Sequence, residues 1–251
     1  MAGRSLKLKY DSEKEPSIGR SKAQLEETRK RLSAAHAAKV RPHLILRAYS
    51  QFIDNFLLHL WRTLVDDGAG RHQLSLVAVG GYGRQELHPG SDIDLLILLA
   101  RACSGEEVRR IEQFIRFLWD MGLQVGHSTR TLKECVHQAR GDITVVTNLM
   151  EARHLTGPAE LLSRLNTQIA PTRMWSPRKF FEAKRQEQVN RHLRYGDTAY
   201  NLEPHIKEGP GGLRDIQTIQ WVGHRYFGTP DLKKLSDEGF LTDAEVAELL
   251  K

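Results

Sequence analysis

Long apolar runs are missing from this sequence, and so is an apolar N-terminus. No stretch approaches the roughly 20 consecutive apolar residues needed to cross a bilayer. The opening MAGRSLKLKYDSEKEPSIGR has no signal-peptide core. Cysteine is scarce: Cys103 and Cys135 form neither a disulfide framework nor a paired metal spacing, which fits a reducing cytoplasm. The phosphate-binding patterns GxxxxGK[ST] and GxGxxG are absent, as are internal repeats and low-complexity tracts. What is present is a chain of 251 residues, 40% hydrophobic and 27% charged, long enough for one large domain or two small ones with a real core. Its net charge of +6 suits nucleotide, nucleic acid or an acidic protein partner, and does not choose among them.

Residues 1–20 are polar and are expected to fray. Ser21 with Gln24 makes a capping box for a helix running to about Val40. Pro42 starts a second helix, in which Ile45, Tyr49, Phe52, Phe56 and Leu60 share a face and Gly68 is the natural stop. LSLVAV, 74–79, reads as a short buried strand, IDLLILL as a second and LQVGHST as a third. Between the last two, Ser104 with Glu107 caps a helix whose apolar stripe is Val108, Ile111, Ile115 and Leu118, and Gly122 ends it. Thr131 with Glu134 caps another. From Asp142 the pattern turns helical, over about 142–153, 158–169, 177–195, 214–227 and 242–251, broken by the linker-like GDTAYNLEPHIKEGPGG. The expected organisation is a tail at 1–20, helices at 21–68, an α/β core at 69–157 and a helical region at 158–251. AEVAELLK carries no helix-stop signal, which suggests a piece of a longer protein.

The stretch GGYGRQELHPGSDIDLLIL, Gly80 to Leu98, carries the chemistry. Residues two apart on a strand face the same way, so Asp92 and Asp94 project together, about 7 Å apart along the backbone. Like charges so placed repel unless a cation lies between them. Hard carboxylate oxygens suit Mg²⁺, with Mn²⁺ as an alternative, held jointly with substrate phosphates. Gly80 and Gly81 let backbone amides approach a triphosphate, and the short segment after them can aim its N-terminus at it. Ten residues then separate Gly81 from Asp92. Arg84 and Ser91 flank the motif. Arg84 suits a leaving pyrophosphate or an ion pair with Glu86.

This G-G, spacer, D-x-D order resembles the nucleotidyltransferase superfamily typified by DNA polymerase β, over about Leu74 to Leu99. A narrower resemblance spans about 80–221. GGYGRQELHPGSDIDLLIL, VGHSTRTLKEC, DITVVTNLMEARHLTG and EPHIKEGPGGLRDIQTIQW are similar to the bacterial PII uridylyltransferase/uridylyl-removing family. The resemblance implies an α+β fold with a polymerase β-like core, a small mixed sheet, N-terminal helices and a C-terminal helical region. It implies transfer of UMP from UTP to a tyrosine of the PII signal protein in the cytoplasm, with Asp92 and Asp94 as metal ligands. In that family a separate HD domain removes UMP and ACT domains sense glutamine, and neither fits in these residues. Membrane and nucleic acid are not expected partners. Adenylyl transfer, RNA tailing and a catalytically silent nucleotide-binding module are the alternatives.

The superfamily's third carboxylate comes from a later strand, but LQVGHST has no acid. Asp142 and Glu151 are the nearest candidates, and Asp142 is carried as the third metal ligand although it also suits a helix N-cap. EPHIKEGPGGLRD predicts a rigid turn with exposed amides, where Lys207, Gly211, Gly212 and Arg214 would contact the nucleotide or serve an interdomain linker. The lone histidines His88 and His127 suit structural or solvent roles. The basic residues of 177–195, among them Lys184 and Arg191, read as a solvated face or a docking surface for an acidic partner.

Overall fold

The computed structural model describes residues 6, 8–66, 73–196, 198 and 203–249. In chain order they form α1 (Ile18–Ala37), α2 (Pro42–Leu64), β1 (Leu74–Ala78), α3 (Gly80–Gly83), β2 (Ile93–Leu99), α4 (Gly105–Asp120), β3 (Val125–Thr131), α5 (Leu132–Gly141), α6 (Ile143–Met150), β4 (Arg153–Thr156), α7 (Ala159–Ile169), α8 (Pro177–Arg194), α9 (Leu213–Phe227), α10 (Leu232–Asp237) and α11 (Asp243–Leu249). The fold is α+β, and none of these helices is long and apolar enough to cross a membrane. Two compact units divide the chain: residues 1–138 with 148–167, and residues 139–147 with 168–251.

The first unit holds a mixed sheet in the order β3-β2-β1-β4. β1 runs antiparallel to β2 and to β4, and β2 runs parallel to β3. A parallel neighbour needs a crossover, and α4 supplies it. That helix begins at the predicted capping box, with Ser104 Oγ accepting from the Glu107 amide and the Glu107 carboxylate accepting from the Ser104 amide. Its buried stripe is Ile111, Phe114, Ile115 and Leu118, whereas Val108 stays exposed. Ile53, Leu57 and Leu60 of α2 are fully buried, as are Leu76, Ile97 and Phe114 in the same core.

Three local expectations are corrected. Helix α1 starts four residues early relative to the Ser21 box. Ser21 is buried against the Tyr10 hydroxyl (3.3 Å), and Gln24 accepts instead from the Asp11 amide at 2.7 Å. Part of the tail expected to fray is packed, because the Tyr10 ring meets Phe52 and Phe56 at 5.9 and 5.3 Å. β4 was not expected: Arg153 fell at the end of the helix expected over 142–153 and the next three residues lay between helices, because RHLT has little strand propensity of its own and is held by pairing with β1. The helix stop expected at Gly68 lies outside the described residues, as do 197 and 199–202 of the linker-like stretch.

In the second unit α8 packs on α9, and α9 on α10. Helix α9 ends at Gly228 in the left-handed region, as a C-terminal glycine does. The basic face expected on α8 is corrected in part. Arg178 is exposed, but Lys184 and Arg191 are 2% and 3% exposed. Lys184 bonds Glu187 and lies 4.3 Å from the Trp221 ring centre, so its charge is paired where it is buried.

Candidate active site

The register of β1 against β2 builds the site. Because the strands are antiparallel, the end of β1 meets the start of β2: Ala78 is opposite Leu95, and the Val79 amide donates to the Asp94 carbonyl at 3.1 Å. The chain therefore leaves β1 directly beside Asp94. Gly80 turns there with φ +58, a conformation that favours glycine. A Cβ on Gly80 would lie 3.3 Å from Asp94 Oδ2 and 3.9 Å from Asn148 Oδ1. On the other side β3 presents Gly126 opposite Asp94, and a Cβ there would lie 2.6 Å from Asp94 Oδ1. The Asp94 carboxylate thus occupies room left by two missing side chains. Gly126 was overlooked, although a glycine inside a strand signals close approach.

Asp92 immediately precedes β2, and both aspartates are exposed while Ile93 and Leu95 are 1% and 2% exposed. Strand alternation at the sheet's end puts the carboxylates outward, so their apolar neighbours do not bury them. Ser91 is exposed, its amide closing a turn to the His88 carbonyl at 3.0 Å.

The GGYG turn is fastened from below by residues that the sequence did not single out. Tyr82 is 1% exposed and donates its hydroxyl to Asp54 Oδ1 at 2.6 Å. Arg153 of β4 donates to both Asp54 oxygens, at 2.8 and 3.0 Å, and to the carbonyls of Gly83 and Tyr82. Burial pushes the Tyr82 phenol well above its ordinary pKa, and the adjacent Asp54 adds to this, so it stays a hydroxyl donor. The amides of Gly83, Arg84, Gln85 and Glu86 bond back into the turn. Those of Gly80, Gly81 and Tyr82 remain as its candidate anion donors.

Arg84 pairs with Glu86 at 2.7 Å, as one reading of the sequence had it, and also with Glu151. Burial would lower its pKa, but Glu151 and Glu86 outweigh that and hold the guanidinium charged. Glu151 therefore serves as the partner of a base. Asp142 lies in the second unit and caps α6, accepting from the amides of Thr144 (2.7 Å) and Val145 (3.4 Å). Among the described residues no group of three or more His, Cys, Asp or Glu could hold a metal. Two outward carboxylates beside a glycine turn still suit Mg²⁺, which binds through one or two carboxylates plus phosphates. His127 stacks edge-on against Trp119 at 5.7 Å.

The second informative stretch departs from expectation. The amides of Glu208, Gly209, Gly211, Gly212, Leu213, Arg214 and Asp215 all donate within the turn or to side chains beside it, so they are not exposed. Gly212 is there for room: its Cβ would meet the Ile206 carbonyl at 2.5 Å. Arg214 bonds Gln217 and Glu208, while Lys207 is exposed. The residue missed here is Asp215, which accepts from Gln188 (2.8 Å), Arg191, His192 (3.1 Å) and the Gly211 amide (2.8 Å). It ties α8, α9 and the glycine turn together.

Two family models match the chain: GlnD PII-uridylyltransferase over residues 179–251, and putative nucleotidyltransferase DUF294 over residues 26–130. A bifunctional uridylyltransferase/uridylyl-removing enzyme of Pseudomonas putida is 50% identical over 216 residues, 86% of this chain and 23% of that protein. Its counterpart in Nitrosococcus oceani is 55% identical over 179 residues, 71% of this chain and 20% of that protein. The chain thus spans less than a quarter of the length of these relatives. A solved toxin–antitoxin structure with AMP-PNP is 16% identical, covers 57% of this chain and 96% of that one, and has a TM-score of 0.30, too slight a likeness to carry an argument.

Proposed function

We propose, given that this chain belongs to the bifunctional uridylyltransferase/uridylyl-removing enzyme family, that it transfers UMP from UTP to a tyrosine of the PII protein. The observation that carries this is the β1–β2 register, which sets the Gly80–Gly81 turn against Asp94. Residues 69–157 are the transferase core of this reading.

Asp92 and Asp94 would hold Mg²⁺ or Mn²⁺, which when bound neutralises triphosphate charge and favours the attacking oxygen. The first amides of the Gly80 turn donate to phosphate oxygens. Arg84, fixed by its two glutamates, keeps a positive charge behind that turn and shapes it. The nucleotide contacts expected at Lys207, Gly211, Gly212 and Arg214 belong to the second unit, and no step of this reading is routed through them. The tyrosine oxygen of PII attacks the α-phosphorus in line. A new P–O bond forms as the bond to the β-phosphate bridge breaks, and pyrophosphate leaves with its electrons. The tyrosine proton passes to an aspartate or to water. Glutamine would act through parts of the relatives that this chain does not span, and the setting is cytoplasmic.

The test is incubation with each labelled nucleoside triphosphate, Mg²⁺ and PII. UMP label is expected on protein, and Asp92→Asn or Asp94→Asn should lower the rate well beyond tenfold in a folded chain, since both residues are exposed. Transfer of AMP, or addition of label to RNA, would replace this reading, and a variant keeping more than about a tenth of the rate would remove that aspartate from the metal site.

A further inference from the structure

We propose that a groove beside the transferase site docks the acceptor protein by the segment that bears the modified tyrosine; this rests on the transferase reading above. The groove lies in the first unit, between α1, the start of α2 and the loop His88–Gly90, and its volume is about 750 Å³. Leu32, Ile45 and Pro89 give it apolar walls, and Arg29, His36 and His88 add basic groups. No carboxylate lines it among the described residues. Such a lining complements an acidic segment carrying an apolar side chain, with charge guiding approach and the apolar wall holding it.

Position makes the link to the chemistry. Gly90 is two residues before Asp92, so at most about 8 Å of backbone separates the groove's rim from the first catalytic carboxylate. The loop that forms this rim is anchored. Leu87 is 2% exposed and its amide reaches Ser50 Oγ of α2 at 3.3 Å, while the Ser91 amide closes the turn on the His88 carbonyl. A segment seated in the groove would be delivered toward Asp92 by a fixed edge. The nucleotide has its own place at the Gly80 turn, on the other side of that connector in sequence. With the nucleotide assigned to that turn, the groove is left for the acceptor.

The experiment measures steady-state KM for PII and for UTP with the chain as it stands and with two double variants, His36→Glu/His88→Glu and His36→Lys/His88→Lys. Both histidines are exposed, so folding is expected to survive, checked by circular dichroism. The double Glu variant should raise KM for PII about tenfold and leave KM for UTP within about twofold. The double Lys variant should keep KM for PII near that of the parent. An unchanged KM for PII in the Glu variant would overturn the docking proposal alone. A rise confined to UTP would overturn it in favour of a nucleotide pocket. A parent chain that labels no PII at all would overturn the transferase reading, and the docking proposal with it.

Discussion

Gly126 lies beside Asp94, where an added side chain would crowd the aspartate's carboxylate. Adding a Cβ 2.6 Å from Asp94 Oδ1 must push the carboxylate out of its place. Gly126→Ala is therefore expected to cut UMP transfer by roughly tenfold or more while removing no functional group, since displacements of about an ångström at a reacting centre have costs of that order. The measurement is transfer rate alongside thermal stability, and a variant with the parent's rate would mean that Asp94 need not lie where it does. The paired aspartates were readable because strand alternation and the GG spacing are local signals. Gly126 was only half readable: a glycine inside a strand signals close approach, but which group approaches it depends on the strand that lies beside it.

At the scale of elements, two clamps decide how firmly the two glycine turns are held. Tyr82→Phe keeps the ring and deletes the bond to Asp54, which costs roughly 1–3 kcal/mol for a hydrogen bond to a charged group. If the clamp positions the GGYG turn, the variant should also raise KM for UTP, and a loss of stability with unchanged kinetics would confine Tyr82 to the core. In the second unit the clamp is Asp215. Burial pushes its carboxyl up, but Gln188, the Gly211 amide and His192 outweigh that and hold it below the ordinary value. A carboxylate lowered on folding contributes stability above its unfolded pKa, near 3.9, and that contribution is lost as pH falls through the folded value. Urea unfolding followed from pH 7 to 3 should show this loss in the parent and a shallower slope in Asp215→Asn; equal slopes would count against it. Capping boxes at Ser104 and Thr131 were visible in the sequence because cap and partner are three residues apart. The buried charges of α8 and α9 were not. Lys184 needs Trp221, and Arg225 needs the carbonyls of Ile169, Met174 and Trp175, and nothing in helical periodicity names such distant hosts.

For the molecule as a whole, the family places synthesis and removal of the nucleotide tag in one protein, and these 251 residues contain no adjacent His-Asp doublet. Incubated with uridylylated PII and Mg²⁺ or Mn²⁺, without pyrophosphate, the chain is expected to release no free UMP. Sustained release that survives in an Asp92→Asn/Asp94→Asn double variant would reveal a second hydrolytic centre. The order of elements across both units followed the sequence well where caps, glycines and apolar stripes agreed, and it failed at β4, whose strand exists only through β1. The ladder joining β1 to β2 has one more implication. A slip of a single residue would turn Asp94 inward and Ile93 outward, since strand faces alternate. On the transferase reading proposed above, a misaligned molecule would be inactive. Turnover per mole of soluble chain would then report the fraction of correctly threaded molecules, so a refolded or evolved preparation could be graded for conformational purity by its catalytic yield.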